Sequence, residues 1–404
     1  MAQSGFRKSF STQTSLHRLT ENIFDALNNS KVTGLVAIDI RKAFDTVHHK
    51  TLLAKLEHYG IRQSPLKWFQ EYLNDRTQIS YINNTKSNHG FVTTGVPQGS
   101  TLGPLLFIVY INDLPGCFKH CSVNMYADDT AFYYSDRNKR PVTDAINEDI
   151  SNVYSWLCAN KLSMHVGKTN TMLICNHQKV RYLDSTQLNI ELNNKAVEQT
   201  NNIRYLGIDI DNSLSFDTYI GNLVKKLNRS IGILKRCAPC LPLQTRKMLY
   251  NSLILPNMDY CCTVWGCATK TGVIRLQRLQ NRALRIILRE GPRAHIEDML
   301  NKIKWMSVKQ RMDYNKLVLM WRIVNNKAPP YLTENFKYTN EIHGHNTTSS
   351  SGKKLFIPQG HRNSLLVTGS ILWNSLPTEL RLTEKIDSFR KKLSKHVIVN
   401  MAKF

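Results

Sequence analysis

Residues 34–40, GLVAIDI, form a nearly unbroken apolar run whose only charge is Asp39. A short run of this kind, rich in aliphatic residues and without polar alternation, reads as a strand covered on both faces. The chain must therefore supply layers on either side of a sheet. The flanking pattern provides them. A helix is expected over 46–59, with Leu52, Leu53 and Leu56 on its apolar face. Another is expected over 101–112, where Ser100 and Thr101 offer a cap and Pro104 sits early. Residues 122–135 read as two short strands around Asp128-Asp129. A helix ending near Asn160, a strand over 171–175 and a hairpin over 188–198 turning at Asn193-Asn194 follow. Strands alternating with helices in this way indicate an α+β domain over residues 1–212.

The second half reads differently. Residues 219–236, 243–255, 273–289 and 308–325 carry helical periodicity, punctuated by Pro239, Pro242, Pro256, Pro292 and Pro329-Pro330. The polar stretch 339–354 reads as an exposed loop. Charge divides along the same line. Residues 1–200 hold 21 basic and 17 acidic side chains, and residues 201–404 hold 33 and 13, within a formal net charge of +24. That asymmetry points to a polyanionic partner for the second half, nucleic acid or an anionic membrane surface. No apolar run reaches the about 18 residues a membrane span needs, and MAQSGFRKSF lacks the apolar core of a secretory leader. Nine cysteines, an odd number at low density, fit a reduced intracellular setting better than a disulfide scaffold. Cys237-x-x-Cys240 invites a zinc reading, but the following Cys261, Cys262 and Cys267 lack the spacing of a zinc site.

Three carboxylates carry the chemistry. Asp39 closes an apolar strand, and Asp128 and Asp129 stand side by side between two others. Repulsion and desolvation both penalise their charged forms, and a divalent cation reverses that balance. Mg²⁺ suits hard oxygen donors, taking one or two carboxylates with water and substrate phosphates completing its shell. If the strands are neighbours, these groups could hold two ions about 3.5–4 Å apart for in-line displacement at phosphorus. Aspartate is also favoured in turns on its own account, so the pair taken alone leaves both readings open.

The order and spacing of LVAIDIRKAFDTV (35–47), GVPQGSTLGPLLFIVYINDL (95–114) and YADDT (126–130) are more specific. They resemble the catalytic boxes of reverse transcriptases of non-LTR, LINE-type retrotransposons of the Jockey/CR1 kind. The resemblance extends upstream to QSGFRKSFSTQTSL (3–16) and downstream through WLCANKLSMHVGKTNTML (156–173) and IRYLGIDID (203–211). It continues, more thinly, into RLQRLQNRALRII (275–287) and WNSLP (373–377). It implies a right-hand polymerase palm with partial fingers over 1–212, a helical thumb over 213–290 and a basic helical extension over 291–404. Relatives of this family begin well before residue 3, so the resemblance implies a chain truncated at its N-terminus, without the family's endonuclease.

The implied activity is that of an RNA-directed DNA polymerase, a nucleotidyltransferase extending a primer 3′-OH with dNTPs by two-metal phosphoryl transfer. The alternative is a truncated, inactive remnant that still binds nucleic acid. Two Mg²⁺ ions, or Mn²⁺ in their place, are the implied cofactors. RNA template, DNA primer, dNTPs and the element's own RNA are the implied partners, with no membrane. The expected location is intracellular, nuclear or cytoplasmic. Asp39, Asp128 and Asp129 match the metal-binding aspartates, with the carbonyl of Ile40 as a further ligand. Lys168 matches the lysine that protonates or electrostatically stabilises the leaving pyrophosphate. Phe44 falls at the steric gate against a ribose 2′-OH, and could equally be a core aromatic. Gln98 and Gly99 match the turn that touches nucleotide and template, Arg7 a template or phosphate contact, and Tyr205 and Gly207 the region holding the primer end.

One further pattern comes from spacing alone. Arg275, Arg278, Arg282, Arg285 and Arg289 recur at 3, 4, 3, 4. They would share one helical face beside an apolar stripe of Leu276, Leu279, Ala283 and Ile286. Guanidinium forks match phosphate oxygens, so the face reads as a nucleic-acid contact; an ordinary solvated face is the alternative.

Overall fold

A computed structural model describes residues 2–181, 183, 185–267, 269–342 and 352–400. The chain divides into two compact units: Met1–Lys8 with Lys31–Tyr205, and Ser9–Ser30 with Leu206–Phe404.

The first unit is built on a five-stranded sheet ordered Glu198–Gln199, Asn170–Ile174, Val32–Ile38, Asp129–Asp136, Ser122–Tyr126. Val32–Ile38 lies at its centre and pairs antiparallel with both neighbours. Every residue of this strand is buried except the half-buried Ala37, as its apolar run requires. The strand ends at Ile38, two residues before the apolar run does, because the backbone beyond it pairs elsewhere. Arg41 N–H donates to the Ser163 carbonyl at 2.9 Å, and His165 N–H donates to the Asp39 carbonyl at 2.8 Å. The helix expected from residue 46 starts at His49, since Asp45 to Val47 are engaged by the segment around Gly95. The buried helix expected over 101–112 spans Gly103–Ile111 with Pro104 in its first turn. The hairpin at Asn193-Asn194 forms with φ of 52° and 59°, the left-handed pair that a two-residue turn favours.

The 21-residue helix Lys139–Ala159 packs on the sheet and anchors its edge. Gly34 of the central strand leaves the room that Val142 and Ile146 of this helix fill. Asp149, fully buried, accepts backbone N–H groups of Lys119, His120 and Cys121 at 2.7–3.0 Å. It thereby fixes where the strand Ser122–Tyr126 begins.

The second unit is helical. The helices Asp217–Cys237, Lys270–Leu288 and Val308–Val324 lead into a core where Trp321, Trp373 and Phe389 are buried with Leu317, Leu365 and Leu393. The helix Thr12–Asn28 belongs here, although the sequence assigns it to the α+β domain. Its buried residues demand partners, and long-range bonds supply them. His17 Nε2 meets the Thr263 hydroxyl at 2.7 Å. The Glu21 carboxylate accepts Leu365 N–H at 2.6 Å, capping the helix Leu365–Asn374. Burial raises the Glu21 pKa, and the Ser364 and backbone donors oppose that rise. The domain change expected at 212 compares with a division at Tyr205/Leu206, and residues on both sides of 290 share the second unit. Of the expected loop 339–354, Thr339–Ile342 form one helical turn, Lys353 and Lys354 are described, and 343–351 lie outside the described residues. No helix among the described residues is long and apolar enough to cross a membrane.

Replacing Asp149 with Ala orphans the buried Cys121 N–H and loosens two further donors. We expect a loss of about 1–3 kcal/mol of unfolding free energy, read as a lower denaturant midpoint at unchanged slope.

Candidate active site

Strand register brings the positions of the three aspartates to neighbouring strand ends. Ile38 pairs with Thr130, so one further step along both chains sets Asp39 opposite Asp129. Tyr126 pairs with Asp129, which leaves Ala127 and Asp128 as the two-residue turn between the strands. Asp128 has its pKa raised, first by withdrawal from water and then by the charge of Asp39. Asp129 is raised to about 6 by withdrawal from water, then by Asp128 and Asp39. Asp129 nevertheless keeps an exposed face, and Asp128 a partly exposed one, through which a cation can approach. The carbonyl of buried Ile40 follows directly.

The loop that pins the Asp39 backbone also delivers Lys168. After Ser163 and His165 bond to Arg41 and Asp39, a single 3-10 turn, Val166–Lys168, brings the lysine Nζ to 3.7 Å from Asp39 Oδ2. Both side chains are substantially open to water, so the contact is weak and readily exchanged.

A second cluster lies within the same unit. Gly95 approaches the backbone of Asp45 so closely that a Cβ would lie 2.7 Å from its carbonyl oxygen, and its φ is +90°. Gly95 N–H donates to Val47, and Val96 N–H to Phe44. These bonds strap the Pro97-Gln98-Gly99 turn to the segment that carries Phe44. The Phe44 ring is half-buried and stacks on Phe107 at 4.3 Å, so it packs against the core while part of it stays open. Gln98 is exposed, and its Nε2 donates to Asp45 Oδ1 at 2.7 Å. Gly99 has φ +82° and open space around its Cα.

Other expected positions are placed differently. Tyr205 is a core residue, 3% exposed, whose hydroxyl donates to the Asn124 carbonyl. Its side chain stabilises the strand beside the Asp128 turn and offers no surface to a primer. Gly207, with φ +75°, lies against the Tyr260 ring in the second unit. Arg7 Nη1 donates to the Gln3 carbonyl at 3.0 Å.

In the arginine row, Arg275, Arg278 and Arg282 are exposed. Arg285 is half-buried, with its Nε buried and unbonded among the described residues. Arg289 lies past the helix end in the left-handed region and donates to the carbonyls of Ala238 and Pro239. The buried stripe runs Leu276, Leu279, Ala283 and then Ile287, with Ile286 half-buried. Arg275, Arg278 and Arg282 are thus exposed along the helix, Arg289 is exposed but engaged with backbone carbonyls past its end, and Arg285 is half-buried.

Sequence reasoning missed Asp45 and Gln3. Asp45 stands next to Phe44, yet a lone exposed aspartate gives no sign that it will hold Gln98. Gln3 lies 124 residues from the turn it contacts.

The carboxylate oxygens fit a divalent cation. They are hard donors, they repel one another, and they open to solvent. Among the described residues, no three His, Cys, Asp or Glu side chains are grouped closely enough to hold a metal ion by themselves.

Residues 1–210, just over half of the chain, match the family model described as reverse transcriptase (RNA-dependent DNA polymerase). Among curated proteins, the chain is 30% identical over 301 residues to the probable RNA-directed DNA polymerase from transposon BS of Drosophila melanogaster, covering 70% of this chain and 32% of that protein. It is 28% identical over 295 residues to the probable RNA-directed DNA polymerase from transposon X-element of the same species, covering 70% and 31%. It is 27% identical over 295 residues to the RNA-directed DNA polymerase from mobile element jockey of that species, again covering 70% and 31%. The chain spans about a third of the length of these curated relatives.

The raised carboxylate pKa has a consequence for Mg²⁺. Folded Asp129 holds its proton up to about pH 6, against 3.8 for an unperturbed aspartate. It therefore favours the fold below 3.8, and this contribution is lost as pH rises through about 6. Cation binding needs the ionised form. Mg²⁺ is expected to raise Tm little at about pH 5 and clearly at about pH 8, in thermal melts with and without the ion. Asp129→Asn should flatten that pH dependence; an equal Mg²⁺ shift in both proteins at both pH values would contradict it.

Proposed function

The chain belongs to the reverse transcriptase family, with a polymerase palm built on its five-stranded sheet and a helical thumb after it, and we propose that it extends the 3′-hydroxyl of a DNA primer with dNTPs on an RNA template. The observation that carries this reading is the strand register that sets Asp39 opposite Asp129 and next to the Asp128 turn, with Lys168 beside Asp39. The primer 3′-oxygen forms a bond to the α-phosphorus while the bond to the bridging oxygen breaks. The hydroxyl proton leaves to solvent, and pyrophosphate departs with the electron pair.

Asp39, Asp128, Asp129 and the Ile40 carbonyl would hold two Mg²⁺ ions. When bound, such ions acidify the primer hydroxyl and neutralise charge on the triphosphate. The protein's own groups orient and select. Lys168 presents a mobile ammonium where the leaving pyrophosphate gains charge, able to exchange Asp39 for that anion. Phe44, braced by Phe107, forms a wall against a 2′-hydroxyl. Asp45 holds the Gln98 amide in one orientation toward nucleotide and template. Arg275, Arg278 and Arg282 offer guanidiniums to backbone phosphates of the nucleic acid. The similarity to polymerases of mobile elements supports the element's own RNA as a natural template.

Primer extension on poly(rA)–oligo(dT) with Mg²⁺ tests the proposal. The wild-type chain should incorporate dTTP, and Asp128→Ala should lose at least about 10³-fold in rate while binding the same duplex. Salt-sensitive binding without extension by the wild type would overturn it.

A further inference from the structure

The turn that carries Asp128 does not hold itself. Ala127 sits at φ +54°, a conformation that a residue with a side chain adopts only when its surroundings over-determine it. The support comes from the start of the chain. Gln3, 7% exposed, turns its amide onto both backbone groups of Ala127. Its Oε1 accepts Ala127 N–H at 2.9 Å, and its Nε2 donates to the Ala127 carbonyl at 3.4 Å. The same Oε1 also accepts Gly5 N–H at 2.7 Å.

The backbone around Gln3 is locked in step. Met125 N–H donates to the Ala2 carbonyl at 3.0 Å, and Ser4 N–H donates to the Met125 carbonyl at 2.8 Å. Residues 2–4 thus run as a short parallel bridge beside the strand that enters the turn. Gly5 allows the close approach, since a Cβ there would lie 2.5 Å from the Ala127 nitrogen. Arg7 closes the arrangement through its bond to the Gln3 carbonyl.

We infer that Gln3 is a positioning residue that holds the Ala127–Asp128 turn in its left-handed form and so sets the pose of the Asp128 carboxylate. The inference rests on the reading of Asp128 as a catalytic carboxylate. A primary amide is well suited to this place: it caps a donor and an acceptor of one residue at once and adds no charge beside Asp128 and Asp129. The box containing Arg7 then acts on the site from behind, through the backbone.

The test compares the wild-type chain with Gln3→Ala, Gln3→Leu and Gln3→Glu. The glutamate keeps the acceptor for Ala127 N–H and Gly5 N–H, loses the longer donor bond and adds a negative charge beside Asp128 and Asp129. We expect Gln3→Ala and Gln3→Leu to lower kcat by about 10–100-fold at unchanged KM for primer–template, the cost of a misplaced reacting group. Gln3→Glu should keep the Ala127 and Gly5 amides protected from exchange while its added charge still lowers kcat. Unchanged kcat in Gln3→Ala would overturn the inference. So would a parallel collapse of kcat, KM and Tm, or exchange at Ala127 and Gly5 as fast in Gln3→Glu as in Gln3→Ala. Amide hydrogen exchange gives a reading independent of turnover. Ala127 and Gly5 should exchange faster in Gln3→Ala, with the flanking strands unchanged; equal protection would refute the clamp. A wild-type chain that fails to polymerise would sink the polymerase reading, and exchange would still decide on the clamp.

Discussion

Three negative charges held together by strand register are the constraint around which the first unit is arranged. The pairing of Ile38 with Thr130 and of Tyr126 with Asp129 keeps Asp39, Asp128 and Asp129 at neighbouring strand ends. Withdrawal from water, and after it the neighbouring carboxylate charge, raises the pKa of Asp128 and Asp129. A fold tolerates such a cluster only if the rest of the sheet is firmly fixed. The central strand is buried along its length, Asp149 pins the strand Ser122–Tyr126 from the helix behind it, and the loop 163–169 is laced to Asp39 and Arg41. The stability of these elements offsets the electrostatic cost at the strand ends, which is released when positive charge arrives.

Much of this is legible from residues alone, for physical reasons that can be named. An apolar run without alternation forces a buried strand, and two asparagines in sequence favour the left-handed φ values of a tight hairpin turn. The long helices of the second half announce themselves by their period. The site's three aspartates follow from charge placed where solvation is poor, sharpened by the family resemblance.

What was not legible depends on contacts between residues far apart in the chain. The helix Thr12–Asn28 joins the helical unit because Glu21 reaches Leu365 and His17 reaches Thr263, and no local pattern encodes either partner. Tyr205 is buried because its ring has a place in the core, while the family resemblance puts it in the region that holds the primer end. The arginine row has correct periodicity, yet Arg289 is drawn off by the carbonyls of Ala238 and Pro239, and Arg285 turns partly inward. Gln3 and Asp45 are ordinary polar residues in sequence. Their roles exist only once the Ala127–Asp128 turn and the Pro97–Gly99 turn have been brought to them.

Asp39, Asp128 and Asp129 are proposed to form one cation-binding cluster set by strand register. The most direct measurement is anomalous diffraction from crystals of the chain with primer–template, a non-extendable dNTP and Mn²⁺. Manganese peaks are expected within coordination distance of the Asp39 and Asp128 carboxylates and should be lost in Asp128→Ala. Manganese bound elsewhere, or peaks that persist in the variant, would contradict it.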